Sequence, residues 1–145
     1  MKHFSVLMIL AIYAGSCLGY EAGKIRESKM RVAINGLGRI GRTFLRGVML
    51  DEEAKKKLDI VAINIGPARL EYVAHMFKYD TLMGTYPGEV LLEKNELVID
   101  GYRIQLFSEM DPAKLPWGNL GIDWVAECTG FFTKREGASK HLQAG

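Results

Sequence analysis

The sequence predicts an α/β chain, with a doubly wound, mostly parallel sheet that carries an antiparallel hairpin insertion. Three observations lead there. Short apolar runs rich in β-branched residues, at Met30–Asn35 (MRVAIN), Leu58–Asn64 (LDIVAIN) and 122–130 (IDWVAECTG), read as strands buried on both faces. Segments of helical period follow the first two, the alternation expected of βαβ units. Between the second and third strands lie EVLLE (89–93), ELVID (96–100) and RIQLF (103–107). Turn residues Lys94-Asn95 and Gly101-Tyr102 separate them, the pattern of hairpins.

The chain has 145 residues, 48% hydrophobic and 25% charged, enough for one domain around one core. Its net charge of +2 comes entirely from residues 1–29, with four basic and two acidic side chains; the remainder balances 15 against 15. No basic face for nucleic acid or a membrane surface is implied. Cys17 and Cys128 make no disulfide framework, and His3, His75 and His141 are too scattered for metal-ligand spacing.

Residues 1–29 are read as an N-terminal extension and linker, and 30–145 as the folded domain. The extension has a basic start at Lys2, an apolar run over 4–14, and small residues Gly15, Ser16 and Gly19. This is the layout of a secretory signal peptide, and AGSC before Leu18 hints at a lipid-attachment cysteine. The run is too short to span a bilayer, which needs about 20 apolar residues. Translation from an upstream start, a cloning scar or a fusion gives the same pattern. Export would make the chain secreted or periplasmic, whereas Met30 as the true start would make it cytoplasmic.

In the helix after the first strand, Ile40, Phe44, Leu45, Val48 and Met49 share one face and Arg39, Arg42 and Arg46 fall elsewhere. Its extension DEEAKKK pairs Asp51 with Lys55, Glu52 with Lys56 and Glu53 with Lys57 at i,i+4. Gly66-Pro67 closes the second strand, because proline fixes its own φ and keeps the preceding residue out of helical geometry. Leu70, Val73, Ala74 and Phe77 form a second helical stripe, and 134–144 reads as a last helix that Gly145 can cap. The repeated VAIN (32–35 and 61–64) is explained by two strands with the same job.

Gly36, Gly38 and Gly41 form G-x-G-x-x-G between the first strand and its helix. In such a turn the first glycine permits the tight bend, the second lets a pyrophosphate approach the backbone, and the third allows close helix–strand packing. The phosphates would sit on the N–H groups and positive dipole end of the helix starting near Arg39. Strand before, helix after and a second strand about 20 residues on complete the context for a dinucleotide, and the fold is Rossmann-like.

The stretch MRVAINGLGRIGRTFLR resembles the amino terminus of phosphorylating glyceraldehyde-3-phosphate dehydrogenases, whose signature I-N-G-F-G-R-I-G-R differs only at Leu37. The match continues through KYDTLMGTYPGEV (78–90), DPAKLPWG (111–118), ECTGFFT (127–133) and HLQAG (141–145), covering 30–145. The resemblance implies that N–H groups at Arg39 and Ile40 hold the pyrophosphate of NAD or NADP in a loop shaped by Asn35, Gly36, Gly38 and Gly41. Thr129, Gly130 and Phe132 are expected along the adenosine and nicotinamide side. Met110 stands where the family's Glu-Arg-Asp-Pro segment sets an arginine against adenine.

The family oxidises and phosphorylates an aldehyde in glycolysis, and that chemistry needs a cysteine thiolate and a histidine base. The cysteine lies in a Ser-Cys-Thr-Thr-Asn block that these 145 residues do not contain. Cys128, at the end of a buried strand, reads as a small buried hydrophobe, and His75 and His141 read as structural. The expectation is therefore the cofactor-binding half of an oxidoreductase, without the catalytic domain, with no catalytic residue and inactive alone. A full-length enzyme of this kind would be a homo-oligomer, a tetramer. The alternative is a non-catalytic dinucleotide-binding or interaction module, exported if its leader functions.

One position departs from the family in a way that bears on the ligand. After AIN the family carries an aspartate, which accepts hydrogen bonds from the adenosine ribose hydroxyls and repels a 2′-phosphate. Here the residue is Ile65. Asp59 lies at the wrong end of the strand to replace it. Arg69, four residues on, either supplies a positive partner for a 2′-phosphate or is a solvated helix residue.

Overall fold

The computed structural model describes residues 11–13 and 29–145. Otherwise the expected leader and linker lie outside the described residues. The strands are β1 (Ala11–Tyr13), β2 (Met30–Asn35), β3 (Leu58–Asn64), β4 (Tyr79–Asp80), β5 (Gly84–Thr85), β6 (Val90–Glu93), β7 (Glu96–Ile99), β8 (Tyr102–Phe107) and β9 (Trp124–Glu127). The helices are α1 (Arg39–Leu50), α2 (Glu52–Lys57), α3 (Val73–Lys78), α4 (Arg135–Ala138) and α5 (Lys140–Gln143), with 3-10 turns at Leu70–Tyr72 and Pro112–Lys114.

The main sheet runs in the order β1-β9-β2-β3-β8-β7-β6. Its centre, β9-β2-β3-β8, is parallel, and the predicted hairpin strands β7 and β6 add antiparallel at one edge. At the other edge β1 pairs antiparallel with β9, from Ala11 opposite Ala126 to Tyr13 opposite Trp124. The chain moves from β2 to β3 and on to β8, then returns to place β9 on the other side of β2. This reversal leaves a crevice beyond the carboxyl ends of β2 and β9, where doubly wound sheets bind ligands.

The strands fill both faces, by alternation in β2 and, in β3, across a register shift that skips Val61. Val32 and Ile34 of β2 join Ile60 and Ile63 of β3, Leu45 and Val48 of α1, and Phe77 of α3 in the larger core. Ala33 and Ala62 point the other way, against Trp117, Leu115, Ile122 and Val125. The small alanines make room for the indole of Trp117, which is fully buried. Each fully buried isoleucine contributes about 1.5–3 kcal/mol through the hydrophobic effect.

Several elements differ from the expectation. The helix does not run on through DEEAKKK: Asp51 is extended and its carboxylate caps a new helix, accepting from the backbone N–H of Glu53 and Ala54. The ion pairs accordingly form at i,i+3, Glu52 with Lys55 and Glu53 with Lys56, and Asp51 is spent as a cap. The last helix is split into α4 and α5 around Ser139, and β9 is shorter than 122–130. The small β4–β5 hairpin was not foreseen. It is held by Arg46 of α1, a buried guanidinium whose acceptors are the carbonyls of Phe77, Lys78, Met83 and Gly84, with the rings of Phe77 and Tyr86 against its faces.

Candidate functional site

At the crevice, β2 ends in the predicted glycine turn and each glycine meets a different constraint. Gly36 has φ +96°, and a Cβ there would lie 2.8 Å from both Cγ2 and the backbone nitrogen of Thr129. A Cβ on Gly41 would lie 2.0 Å from the carbonyl oxygen of Gly36, so α1 rests directly on the turn. A Cβ on Gly38 would meet nothing within 4 Å. The turn is therefore packed at its first and third glycines and open at its second.

That open side faces a cavity of about 630 Å³, a size suited to a small-molecule ligand. Gly38 is also the N-cap of α1 and offers no side chain to the helix's first N–H groups, and no acidic residue stands in the first turn. Helix geometry leaves those N–H groups without intrahelical partners, so the mouth carries donors and a positive dipole end. Arg42 adds a guanidinium to the wall, fixed by Asp80 (3.2 Å) and by the carbonyl of Leu37. Backbone hydrogen bonds from Leu82 and Met83, and then Arg42, hold the Asp80 carboxyl below its ordinary range.

Beneath the turn lies a buried polar network that joins four elements, β2, β3, β9 and α5. The side-chain amide of Asn64 donates to Oδ1 of Asn35 (2.7 Å), and Asn35 Nδ2 donates to Oε2 of Glu127 (2.6 Å). The other Glu127 oxygen accepts from the Thr129 backbone N–H (2.7 Å) and from its hydroxyl. His141 of α5 brings Nε2 to 3.1 Å from Glu127 Oε2, while its Nδ1 lies 3.1 Å from Trp117 Nε1. An indole N–H only donates, so Nδ1 accepts, and the neutral ring carries its proton on Nε2 and donates it to Glu127. Burial opposes the charge on Glu127, but the hydrogen bonds from His141, Thr129 and Asn35 outweigh it and hold the carboxyl below its ordinary range.

The far wall is apolar and includes position 65. Ile65 is buried in the larger core as well as lining the cavity, and its N–H donates to the Phe107 carbonyl (2.8 Å). Gly66 follows with φ +61°, and its carbonyl accepts from Ser108 Oγ (2.6 Å). Asp59 is confirmed at the opposite end of β3, where it meets Arg31 (3.2 Å) and the Tyr102 hydroxyl.

Of the residues singled out in the sequence, Asn35, Gly36, Gly38, Ile65, Met110, Thr129 and Phe132 line the cavity. Gly41 is buried behind the turn, Arg39 and Ile40 form the first turn of α1, and Gly130 is exposed with φ +76°. Arg69 is exposed outside the lining, because Pro67 and Ala68 form that part of the wall. Sequence reasoning missed Asn64, Glu109, Glu127 and Phe131, the last 86% exposed at the rim. The repeated VAIN was the available signal: its two terminal asparagines face each other and bond.

Cys128 also lines the cavity, but burial and the neighbouring Glu127 charge push its thiol up to about 11, which keeps it protonated at neutral pH. His75 is exposed and packs against the ring of Tyr79 at 4.9 Å. Neither provides a nucleophile–base pair.

Comparison with known proteins agrees with this geometry. Residues 30–135 match the family model described as glyceraldehyde 3-phosphate dehydrogenase, NAD binding domain. The chain is 50% identical over 116 residues to glyceraldehyde-3-phosphate dehydrogenase 1 of Kluyveromyces lactis, covering 80% of this chain and 34% of that protein. It is 47% identical over 116 residues to glyceraldehyde-3-phosphate dehydrogenase of Clostridium acetobutylicum, covering 79% and 33%. The chain thus spans about a third of the length of these curated relatives. With a phosphate-type glycine turn at the switch point of a Rossmann-like sheet and a family match over most of its length, the chain belongs to the glyceraldehyde 3-phosphate dehydrogenase family, and residues 30–135 are its NAD-binding domain.

Proposed function

We propose that residues 30–145 bind NAD or NADP with the pyrophosphate on the Gly36–Gly41 turn, as the cofactor half of an enzyme that oxidises and phosphorylates an aldehyde. The observation that carries this is the division of labour in the turn: Gly36 and Gly41 are locked by contact while Gly38 is open to the cavity. The N–H groups of Arg39 and Ile40 hold the pyrophosphate, and Asn35 shapes the loop beneath it. Thr129, Gly130 and Phe132 flank the adenosine and nicotinamide side, and Met110 lies toward adenine.

Bound, the dinucleotide supplies hydride-transfer chemistry. This chain's residues bind and orient it, and the apolar wall keeps water from one side of it. The thiolate and base of the chemical step are not provided by Cys128 or His75, so this domain contributes cofactor binding and the reaction requires further residues. Residues 1–29 are an extension to that domain, the location is cytoplasmic with Met30 as the start, and the assembled enzyme is a homotetramer. Among the described residues no helix is long and apolar enough to cross a membrane.

Calorimetric titration with NAD and with NADP tests the reading, with Trp117 or Trp124 fluorescence as a second signal. Both dinucleotides are expected to bind. With Ile65 in place of an acid, the preference for NAD stays below about a hundredfold, which corresponds to about 2.7 kcal/mol. Binding of neither overturns the assignment of the site, and a preference above a hundredfold overturns the role given to position 65.

A further inference from the structure

We infer that Glu109 is the carboxylate that faces the adenosine ribose in this chain and disfavours a 2′-phosphate, a conclusion that rests on dinucleotide binding at this cavity. In sheets of this topology an acid at the end of the second strand receives the ribose hydroxyls. Here β3 ends in Asn64 and Ile65, and Ile65 packs into the core with no polar atom on its side chain. The only acidic side chain lining the cavity among the described residues is Glu109. It reaches the same corner from the loop that follows β8.

The placement is fixed by the fold. β8 runs parallel to β3 and ends beside it, with Asn64 opposite Phe107 in the register. The Asn64 side chain then grips the backbone of residue 109 from both sides. Its Nδ2 donates to the Glu109 carbonyl (2.9 Å) and its Oδ1 accepts from the Glu109 N–H (2.8 Å). Ser108, the preceding residue, donates to the Gly66 carbonyl (2.6 Å), which ties the segment after β8 to the loop after β3.

The carboxylate itself is half committed. Oε1 accepts from the backbone N–H of Met110 (2.8 Å) and Asp111 (3.0 Å), which orients the group. Oε2 has no donor among the described residues, leaving it available to accept from a ribose hydroxyl. A 2′-phosphate at that place would set a dianion against a carboxylate. Arg69, exposed and outside the lining, is less well placed to offset it.

The test is the ratio of NADP to NAD dissociation constants, measured calorimetrically for the full chain and for Glu109→Gln and Glu109→Asp. Glutamine keeps the acceptor that orders Met110 and Asp111 while removing the charge. Aspartate keeps the charge. Wild type is expected to prefer NAD by about tenfold, or about 1.4 kcal/mol; the glutamine variant brings the ratio to within about threefold of unity, and the aspartate variant retains most of the preference. The gap between wild type and glutamine variant also narrows as ionic strength rises from about 0.05 to 0.5 M, since added salt shortens the range of the repulsion. A ratio unchanged within twofold in the glutamine variant, with both dinucleotides bound, overturns the role of Glu109 and leaves the binding site standing. Failure of the wild type to bind either dinucleotide removes both. A glutamine variant that does not fold leaves the salt dependence of the wild-type ratio and the aspartate variant to decide: loss of the preference despite a retained carboxylate, or a preference that does not shrink with salt, overturns the assignment.

Discussion

Two alanine substitutions in the glycine turn separate its packing role from its ligand role. At Gly41 an added Cβ sits 2.0 Å from the Gly36 carbonyl oxygen, well inside ordinary van der Waals contact. The oxygen belongs to the backbone of a tight turn and cannot swing aside, so α1 must move outward. Overpacking of this kind costs roughly 1–3 kcal/mol and sometimes more; with backbone as the obstacle we expect about 3 kcal/mol. That lowers the melting temperature by about 10 °C in a domain of this size. At Gly38 the same Cβ meets nothing, and φ −71° is open to alanine. The gain from a less flexible unfolded chain, about 0.4–1 kcal/mol, is offset by alanine's poor performance as an N-cap. Gly38→Ala should therefore melt within about 2 °C of wild type. Its Cβ nevertheless occupies the space a pyrophosphate needs, and both dinucleotides should weaken at least about thirtyfold, or 2 kcal/mol. Calorimetry for melting and for binding gives both numbers. A folded Gly38→Ala chain that binds as wild type does would refute the placement of the pyrophosphate, and a Gly41→Ala chain with undiminished stability would refute the packing argument.

Two further perturbations address the supports of the site. The Glu127 carboxyl is held below its ordinary value of 4.5, so the stability it adds is present above that value and is lost as pH falls through the lower folded value. Glu127→Gln should be less stable at neutral pH by about 1–3 kcal/mol and should show a flatter decline of melting temperature below pH about 4.5; parallel profiles for the two proteins count against the network. Arg46→Met removes the donors for four backbone carbonyls and leaves the glycine turn untouched. Urea unfolding should show a loss of about 3 kcal/mol, with dinucleotide affinity of the folded fraction within about threefold of wild type; a loss under about 1 kcal/mol would mean that water replaces the guanidinium.

Much of the architecture was legible because it is written in local pattern. β2 and β3 have the limits that apolar runs and turn residues announced, and the hairpin β6–β7 followed from residues adjacent in sequence. The helix after β3 was less legible, since its stripe is divided between a 3-10 turn and α3. Asp51 shows the limit of pairing rules: its spacing from Lys55 suits a salt bridge, yet capping two N–H groups at the start of α2 claimed its carboxylate.

By itself the sequence determined the order of the main strands from β2 onward and of the helix after the glycine turn, the turn itself, and the family. Periodicity, turn chemistry and the steric needs of a phosphate loop all act over a few residues. Only the tertiary structure decided what supports and shapes the site. Asn35 meets Glu127 across 92 residues, and Asn64 meets Glu109 across 45. Those meetings depend on β9 and β8 lying on opposite sides of the β2–β3 pair. No local pattern encodes that placement, and it comes from packing both faces of one sheet.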